Sequence, residues 1–116
     1  KEFQAGVSVA PVTDWHYYDT KWAEFGMKRP IDNPEGYEST SFIKTAKNLH
    51  GALLLVHGTY DDNVHPQNSW HFIDELVKEN IQFEMMFYPM RKHGIADDEA
   101  RIHLYTKMLS FWELNL

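Results

Sequence analysis

The sequence predicts an α/β fold in which parallel strands carry helices on both faces. Segments typical of strands alternate along the chain with segments typical of helices. Residues 52–56 (ALLLV) form a continuous apolar run beside Gly51, as in a strand buried on both faces. Only three strands are predicted, so the opposite edge of their sheet would need covering. We therefore expect the C-terminal portion of a larger sheet.

The first half of the chain is predicted to hold one strand and several short helices. Residues 7–9 fit a short strand that ends before Pro11, because a residue before proline is pushed to extended geometry. Residues 14–25 are aromatic and polar, which favours one or two short helices. Residues 39–48 are a second helix candidate, with Phe42, Ile43 and Ala46 on one side.

The second half has a clearer pattern. Pro66 can occupy the first turn of a helix that ends near Glu79. Residues 81–88 alternate apolar and polar side chains, as in a strand near a sheet edge. Residues 97–99 place negative charge at the start of a last helix, where the helix dipole favours it.

Apolar stripes predict which sides of these two helices are buried. The stripe of the first helix consists of Trp70, Ile73, Leu76 and Val77. The stripe of the last helix consists of Ile102, Tyr105, Leu109 and Trp112, widened by Leu104, Met108 and Phe111. Such a broad stripe indicates that the last helix contacts more than the sheet.

The composition excludes several classes of protein. With 116 residues, 43% of them hydrophobic, the chain has the size and apolar content of one domain. It has no cysteine, which excludes a disulfide scaffold and cysteine-ligated metal sites. A net charge of −6 without a basic cluster disfavours nucleic acid and anionic membranes as partners. No apolar run approaches the ~20 residues that a membrane-spanning helix needs.

Two segments follow the carboxyl ends of predicted neighbouring strands, where open parallel sheets collect their working groups. The first segment offers Asp61 and Asp62, and the second offers His93. Neighbouring strands lie only ~5 Å apart, so an acid on one loop can reach a histidine on the next. The acid would hold the imidazole in one tautomer, and the histidine would act as general base and acid. In α/β-hydrolases the acid also precedes the histidine, and the nucleophilic serine precedes both.

The nucleophile is not evident in the sequence, because none of the five serines stands in a Gly-x-Ser-x-Gly elbow. These serines are Ser8, Ser39, Ser41, Ser69 and Ser110. An alternative interpretation is a capped turn, with an aspartate bonding backbone amides and His93 solvated. A hydrolytic metal site is a further alternative, although its spacing matches no standard zinc motif. Its ligands would be His57, Asp61, Asp62 and His65.

Three stretches resemble a known family. Residues 57–65 (HGTYDDNVH) and 88–96 (YPMRKHGIA) resemble the end of the dipeptidyl peptidase IV branch of the prolyl oligopeptidase family. Residues 9–19 (VAPVTDWHYYD) resemble the substrate-pocket segment of that branch, so the resemblance covers nearly the whole chain in order. It implies the C-terminal portion of an α/β-hydrolase fold. It also implies a serine exopeptidase that removes Xaa-Pro or Xaa-Ala dipeptides from free N-termini through an acyl-enzyme.

The resemblance implies a role for each matched residue. Asp61 matches the acid of the catalytic triad, and His93 matches its histidine. Asn63 matches the asparagine that hydrogen-bonds a backbone carbonyl of the substrate. The walls of the apolar pocket that accepts proline match Val12, Trp15 and Tyr18. Trp22 stands where the family usually has a second pocket tyrosine, and its larger indole would tighten the pocket or favour smaller residues.

The resemblance also implies parts of the enzyme that this chain does not contain. The serine elbow, the tyrosine of the oxyanion hole and the glutamates of a β-propeller would all precede Lys1. Because the first residue is lysine, we expect a processed, cleaved or excised piece of a longer chain, inactive on its own. The expected partners are peptide substrates with Pro or a small residue at the second position, the rest of the catalytic domain and the β-propeller. A second copy of the same protein, forming a homodimer, is also expected. No cofactor and no metal are expected.

Two other functions stay open. The segment could be a binding or dimerisation module of a non-catalytic family member, using the apolar face of the last helix. It could also belong to another α/β-hydrolase, such as an esterase. The absence of cysteine fits a bacterial relative better than a disulfide-bearing extracellular one, so we expect the periplasm or the cell envelope.

Overall fold

The computed structural model describes residues 3–116, so Lys1, on which the expectation of a processed chain rests, lies outside them. Three strands form one sheet: β1 (Ala5–Val9), β2 (Ala52–Gly58) and β3 (Glu84–Tyr88). β2 lies in the middle and pairs in parallel with both neighbours. The parallel sheet and its strand order therefore confirm the α/β prediction.

Four helices and two 3-10 turns connect and cover the strands. The helices are α1 (Thr20–Met27), α2 (Pro34–Thr40), α3 (Gln67–Lys78) and α4 (Asp98–Asn115). The 3-10 turns are Trp15–Tyr17 and Ile43–Asn48. Within residues 3–116 we find no helix with the length and apolar character to span a bilayer.

The two faces of the sheet pack against different helices. Leu54 and Val56 of β2 join a buried core with Leu104 and Phe111 of α4. Alternate residues of the same strand, including Leu55, point to the opposite face, toward α3 and the second 3-10 turn. Because side chains alternate along a strand, a continuous apolar run is what a doubly covered strand requires.

The helix predicted over 39–48 is wrong. The chain instead forms α2 and then the separate 3-10 turn, and the extended backbone at Ser41 ends α2. Asn33 caps α2 by accepting a hydrogen bond from the Gly36 amide, and Pro34 occupies the first turn. The Asn-Pro pair is the start signal that places α2 earlier. Ala46 is buried as expected, whereas Phe42 is exposed.

The stripe predicted for α3 is only partly correct. Leu76 is buried, but Trp70 and Val77 are exposed. The first turn of α3 instead buries Asn68 and Ser69, two polar residues. A hydrophobic pattern does not reveal such positions, because these side chains are polar and their burial is compensated by hydrogen bonds.

In α4 only part of the broad predicted stripe is buried. The sheet packs against the stripe of Leu104 and Phe111, with Met108 partly buried beside them. Ile102, Tyr105 and Leu109 are exposed. The start of the helix is as predicted, since the Asp97 carboxylate caps it by accepting a hydrogen bond from the Ala100 amide.

Candidate active site

Two loops run against each other where β2 and β3 end. The Thr59 amide donates to the Tyr88 carbonyl over 3.0 Å, and the Tyr60 amide donates to the Arg91 carbonyl, also over 3.0 Å. At Gly58 an added Cβ would collide with the Arg91 carbonyl oxygen. The loops approach so closely that only glycine fits between them.

This approach places His93 directly over Asp61. The imidazole Nδ1 lies 2.8 Å from the Asp61 Oδ2, within hydrogen-bond distance. The other carboxylate oxygen accepts from the backbone amides of Asn63 (3.0 Å) and Val64 (2.8 Å). Asp61 is 3% exposed, whereas the side chain of His93 is 45% exposed. One carboxylate therefore caps the turn and also holds the histidine, and the catalytic roles of Asp61 and His93 stay a prediction.

The neighbouring aspartate is in a different environment. The side chain of Asp62 is 68% exposed and lies 3.1 Å from the ammonium of Lys92. The hydrogen bond from Lys92 lowers the pKa of Asp62 below its usual value. Of the two acids, only Asp61 is buried against the imidazole.

Within residues 3–116, no hydrogen bond joins a serine to His93. Ser69 contacts His57, Ser41 donates to Asp14, and Ser39 donates to a carbonyl of its own helix. The remaining two serines lie in β1 and α4. The described residues thus hold an acid and a base, and no serine is positioned as their nucleophile.

Three predicted pocket residues form one aromatic cluster. Trp15 and Trp22 stack with ring centroids 5.0 Å apart, and Tyr18 meets both rings edge-on. The Tyr18 hydroxyl donates to the Asn63 Oδ1 over 2.7 Å. This bond uses the carbonyl of the amide and leaves its NH2 group available as a donor. The structure therefore brings the aromatic cluster to the turn that carries Asp61.

Val12 lies elsewhere. It lines an apolar cavity of about 470 Å³ on the α3 side of the sheet, together with Phe42, Leu53 and Phe72. Trp15, Tyr18 and Trp22 do not line this cavity. The role of Val12 as a wall of the proline pocket stays a prediction.

His57 is a buried residue beside Asp61 whose role the sequence did not reveal. It is 0% exposed, with its Nδ1 2.6 Å from the Ser69 hydroxyl and its Nε2 2.7 Å from the Val64 carbonyl. The same Nε2 lies 3.2 Å from the Asp61 Oδ2. Among residues 3–116, no cluster of three or more histidines and acids is arranged to hold a metal ion. The sequence did offer one signal: His57 is a polar residue at a position of β2 where the alternation of side chains predicts burial.

Asn68 connects α3 to the segment that carries the aromatic cluster. Its side-chain oxygen accepts from the amides of Thr13 (3.0 Å) and Asp14 (3.3 Å), and its NH2 group donates to the His65 carbonyl. Asp14 in turn caps the 3-10 turn that begins at Trp15. Burial raises the pKa of Asp14, but hydrogen bonds from His16 and Ser41 outweigh it and leave this pKa lowered.

Comparison with known proteins identifies the family. The sequence model of the prolyl oligopeptidase family matches residues 1–116. The chain belongs to this family. The crystal structure of Porphyromonas gingivalis dipeptidyl peptidase 4 superposes on it with a TM-score of 0.94 and 44% identity, covering 98% of this chain and 16% of that one.

Curated relatives in the prolyl oligopeptidase family include fungal and mammalian proteins. The probable dipeptidyl-aminopeptidase B of Aspergillus oryzae is 43% identical over 115 residues, which are 97% of this chain and 13% of that protein. Dipeptidyl peptidase 4 of Bos taurus is 40% identical over 112 residues, 94% of this chain and 15% of that protein. The chain therefore spans about a seventh of their length and belongs with the dipeptidyl peptidases of the family.

Proposed function

We propose that this chain supplies the acid, the general base and part of the substrate pocket of a serine exopeptidase. The enzyme would release Xaa-Pro or Xaa-Ala dipeptides from free N-termini. The observation that carries the proposal is the 2.8 Å hydrogen bond between Asp61 and His93 at the carboxyl ends of two parallel strands. The names of the relatives support the reaction class.

The chemistry follows from the two ring nitrogens of His93. With Nδ1–H donated to Asp61, Nε2 accepts the proton of a serine hydroxyl as its oxygen attacks the scissile carbonyl. The imidazolium, stabilised by the carboxylate, then gives that proton to the leaving amine, and an acyl-enzyme remains. Water repeats the sequence: it gives a proton to Nε2 as its oxygen attacks the acyl carbon, and Nε2 returns that proton to the serine oxygen as the dipeptide leaves.

The pocket would select the second residue of the substrate. The NH2 group of Asn63 would donate to a backbone carbonyl of the substrate. Trp15 and Tyr18 would bury the pyrrolidine ring of a proline against their flat apolar faces. Trp22 stacks on Trp15. Its large indole would therefore narrow the pocket and favour a small second residue in the substrate.

The other parts of the active site would come from outside residues 1–116. These parts are the serine elbow, the tyrosine of the oxyanion hole and the β-propeller that holds the substrate amine. The exposed apolar side chains of the chain support contacts with further protein. The 116 residues alone should therefore not hydrolyse Gly-Pro-p-nitroanilide, because an acid and base without a nucleophile retain little activity.

The proposal is tested in the longest natural polypeptide that carries this sequence. His93→Ala should lower kcat for Gly-Pro-p-nitroanilide by at least about a thousandfold, because the general base is lost. His50→Ala is the matched control, since His50 is exposed and precedes the amino end of β2, away from the site. Turnover of His93→Ala at the rate of the control would reject the proposal.

A second candidate function is a dimerisation module in a non-catalytic family member. The exposed side chains of Ile102, Tyr105 and Leu109 form one apolar face of α4 that fits a second copy. Sedimentation of the same polypeptide would test it, and a monomer at micromolar concentration would remove the dimer. An esterase is a weaker alternative, favoured only by turnover of esters without turnover of peptides.

We further propose that the protein is bacterial and lies in the periplasm or cell envelope. The lack of cysteine and the similarity to a Porphyromonas gingivalis enzyme support this location. Cell fractionation followed by immunoblotting would test it, and recovery in the cytoplasm would reject it.

A further inference from the structure

Two imidazoles lie beside the carboxylate of Asp61. Oδ2 lies 2.8 Å from the Nδ1 of His93 and 3.2 Å from the Nε2 of His57. With the two backbone amides on Oδ1, four nitrogens surround this one side chain. His93 reaches the surface, whereas His57 and its partner Ser69 are completely buried. His57 is therefore unable to reach a substrate and can act only through the turn that carries Asp61.

The hydrogen bonds of His57 determine where its proton lies. The Val64 carbonyl, 2.7 Å from Nε2, can only accept, so Nε2 must carry the proton. The Ser69 hydroxyl, 2.6 Å from Nδ1, can then donate to the bare nitrogen. With this tautomer, the Nε2–H of His57 donates to the carbonyl of Val64, whose amide holds the Asp61 Oδ1, and the same nitrogen lies 3.2 Å from the Asp61 Oδ2.

We propose that His57, held in the Nε2–H tautomer by Ser69, is a positioning residue that fixes the Asp61 carboxylate for its bond to His93. The carboxylate accepts from His93 of the second loop and from two amides of its own turn, those of Asn63 and Val64. His57 belongs to the central strand β2 and donates to the carbonyl of Val64, so it ties the turn that holds Asp61 to the sheet. The inference rests on the proposed function, because it assigns Asp61 a role in catalysis.

Two variants separate positioning from simple packing. A glutamine amide nitrogen can reach the location of Nε2, whereas an asparagine side chain reaches only that of Nδ1. His57→Gln thus retains a donor toward the Val64 carbonyl, and His57→Asn retains a partner for Ser69 but loses that donor. His50→Asn is the matched control at an exposed histidine. All are made in the longest natural polypeptide that carries this sequence.

With Gly-Pro-p-nitroanilide, His57→Asn should lower kcat by about tenfold to a hundredfold while KM changes less than about threefold. His57→Gln should recover most of the loss, and His50→Asn should match the parent. Equal kcat for the asparagine and glutamine variants would overturn the positioning role, whether both are active or both inactive. Thermal melting of each variant shows that the comparison is made on folded protein.

NMR provides a readout that does not need turnover. Nitrogen-15 spectra of the imidazoles should show the proton of His57 on Nε2, and the hydrogen-bonded Nδ1 proton of His93 should appear far downfield. That downfield signal should weaken in His57→Asn and persist in His57→Gln and His50→Asn. A bare Nε2 on His57, or a downfield signal unaffected by His57→Asn, would overturn the inference. If the parent polypeptide turns over no substrate, the proposed function fails, and these spectra alone decide the role of His57.

Discussion

At the scale of single residues, Gly58 sets the distance between the loops that carry Asp61 and His93. A Cβ at this position would lie 2.7 Å from the Lys92 carbonyl oxygen and closer still to that of Arg91. Gly58→Ala should therefore push the His93 loop outward. At Gly26, in contrast, no atom lies within 4 Å of an added Cβ.

We expect Gly58→Ala to lower the free energy of unfolding by about 1–3 kcal/mol, as for other overpacked sites. Gly26→Ala should leave it unchanged or raise it by up to about 1 kcal/mol, because alanine favours a helix interior over glycine. Urea denaturation of the chain and both variants measures the difference. Equal stability of the two variants would contradict the close approach of the loops.

The sequence identified Asp61 and His93 by their positions after predicted strands and by resemblance. It did not identify the buried support around them. The hydrogen bonds of Ser69 and Asn68 depend on how the start of α3 packs against β2 and the Thr13 segment. No local pattern of residues encodes that packing.

At the scale of elements, the first turn of α3 joins the two parts of the site. Two adjacent residues of this turn make the connection, since Ser69 contacts the histidine beside Asp61 and Asn68 binds the backbone before Trp15. The turn that carries Asp61 and the aromatic cluster are thereby held to one helix. A substitution in this turn should therefore destabilise the segment that carries the aromatic cluster.

Asn68→Ala tests this connection. It leaves the buried amide of Thr13 without its acceptor, so we expect the free energy of unfolding to fall by about 1–3 kcal/mol. In the longer polypeptide, KM should rise more than kcat falls, because the aromatic cluster loses its anchor. Gln67→Ala, at the exposed neighbouring position, should change stability by less than about 0.5 kcal/mol. If the two variants are equally stable, α3 does not anchor the segment.

α4 shows where periodicity alone fails. Residues at 102, 105 and 109 and residues at 104, 108 and 111 both repeat with helical spacing. Both sets are apolar, so the pattern predicts a helix correctly but does not choose the buried face. The choice depends on how the helix is oriented against Leu54 and Val56, which is a tertiary property.

At the scale of the whole molecule, the alternation of strands and helices predicted parallel strands joined by crossovers, and the structure has that arrangement. Because neighbouring parallel strands end at the same edge of the sheet, this arrangement predicted that the loops carrying Asp61 and His93 lie next to each other. The start of α2 was missed although the sequence carries its signal, since Asn33 is a capping residue followed by the first-turn proline Pro34.

The pair of adjacent aspartates offers the most direct test of the central claim, that Asp61 and His93 are the acid and base of a serine peptidase. The measurement is kcat for Gly-Pro-p-nitroanilide in the longest natural polypeptide, for Asp61→Asn and Asp62→Asn. Asp61→Asn should lower kcat by about ten-thousandfold, because the amide favours the wrong tautomer of His93. Asp62→Asn should stay within about threefold of the parent, because it loses only an exposed ion pair with Lys92. Similar rates for the two variants would contradict the account.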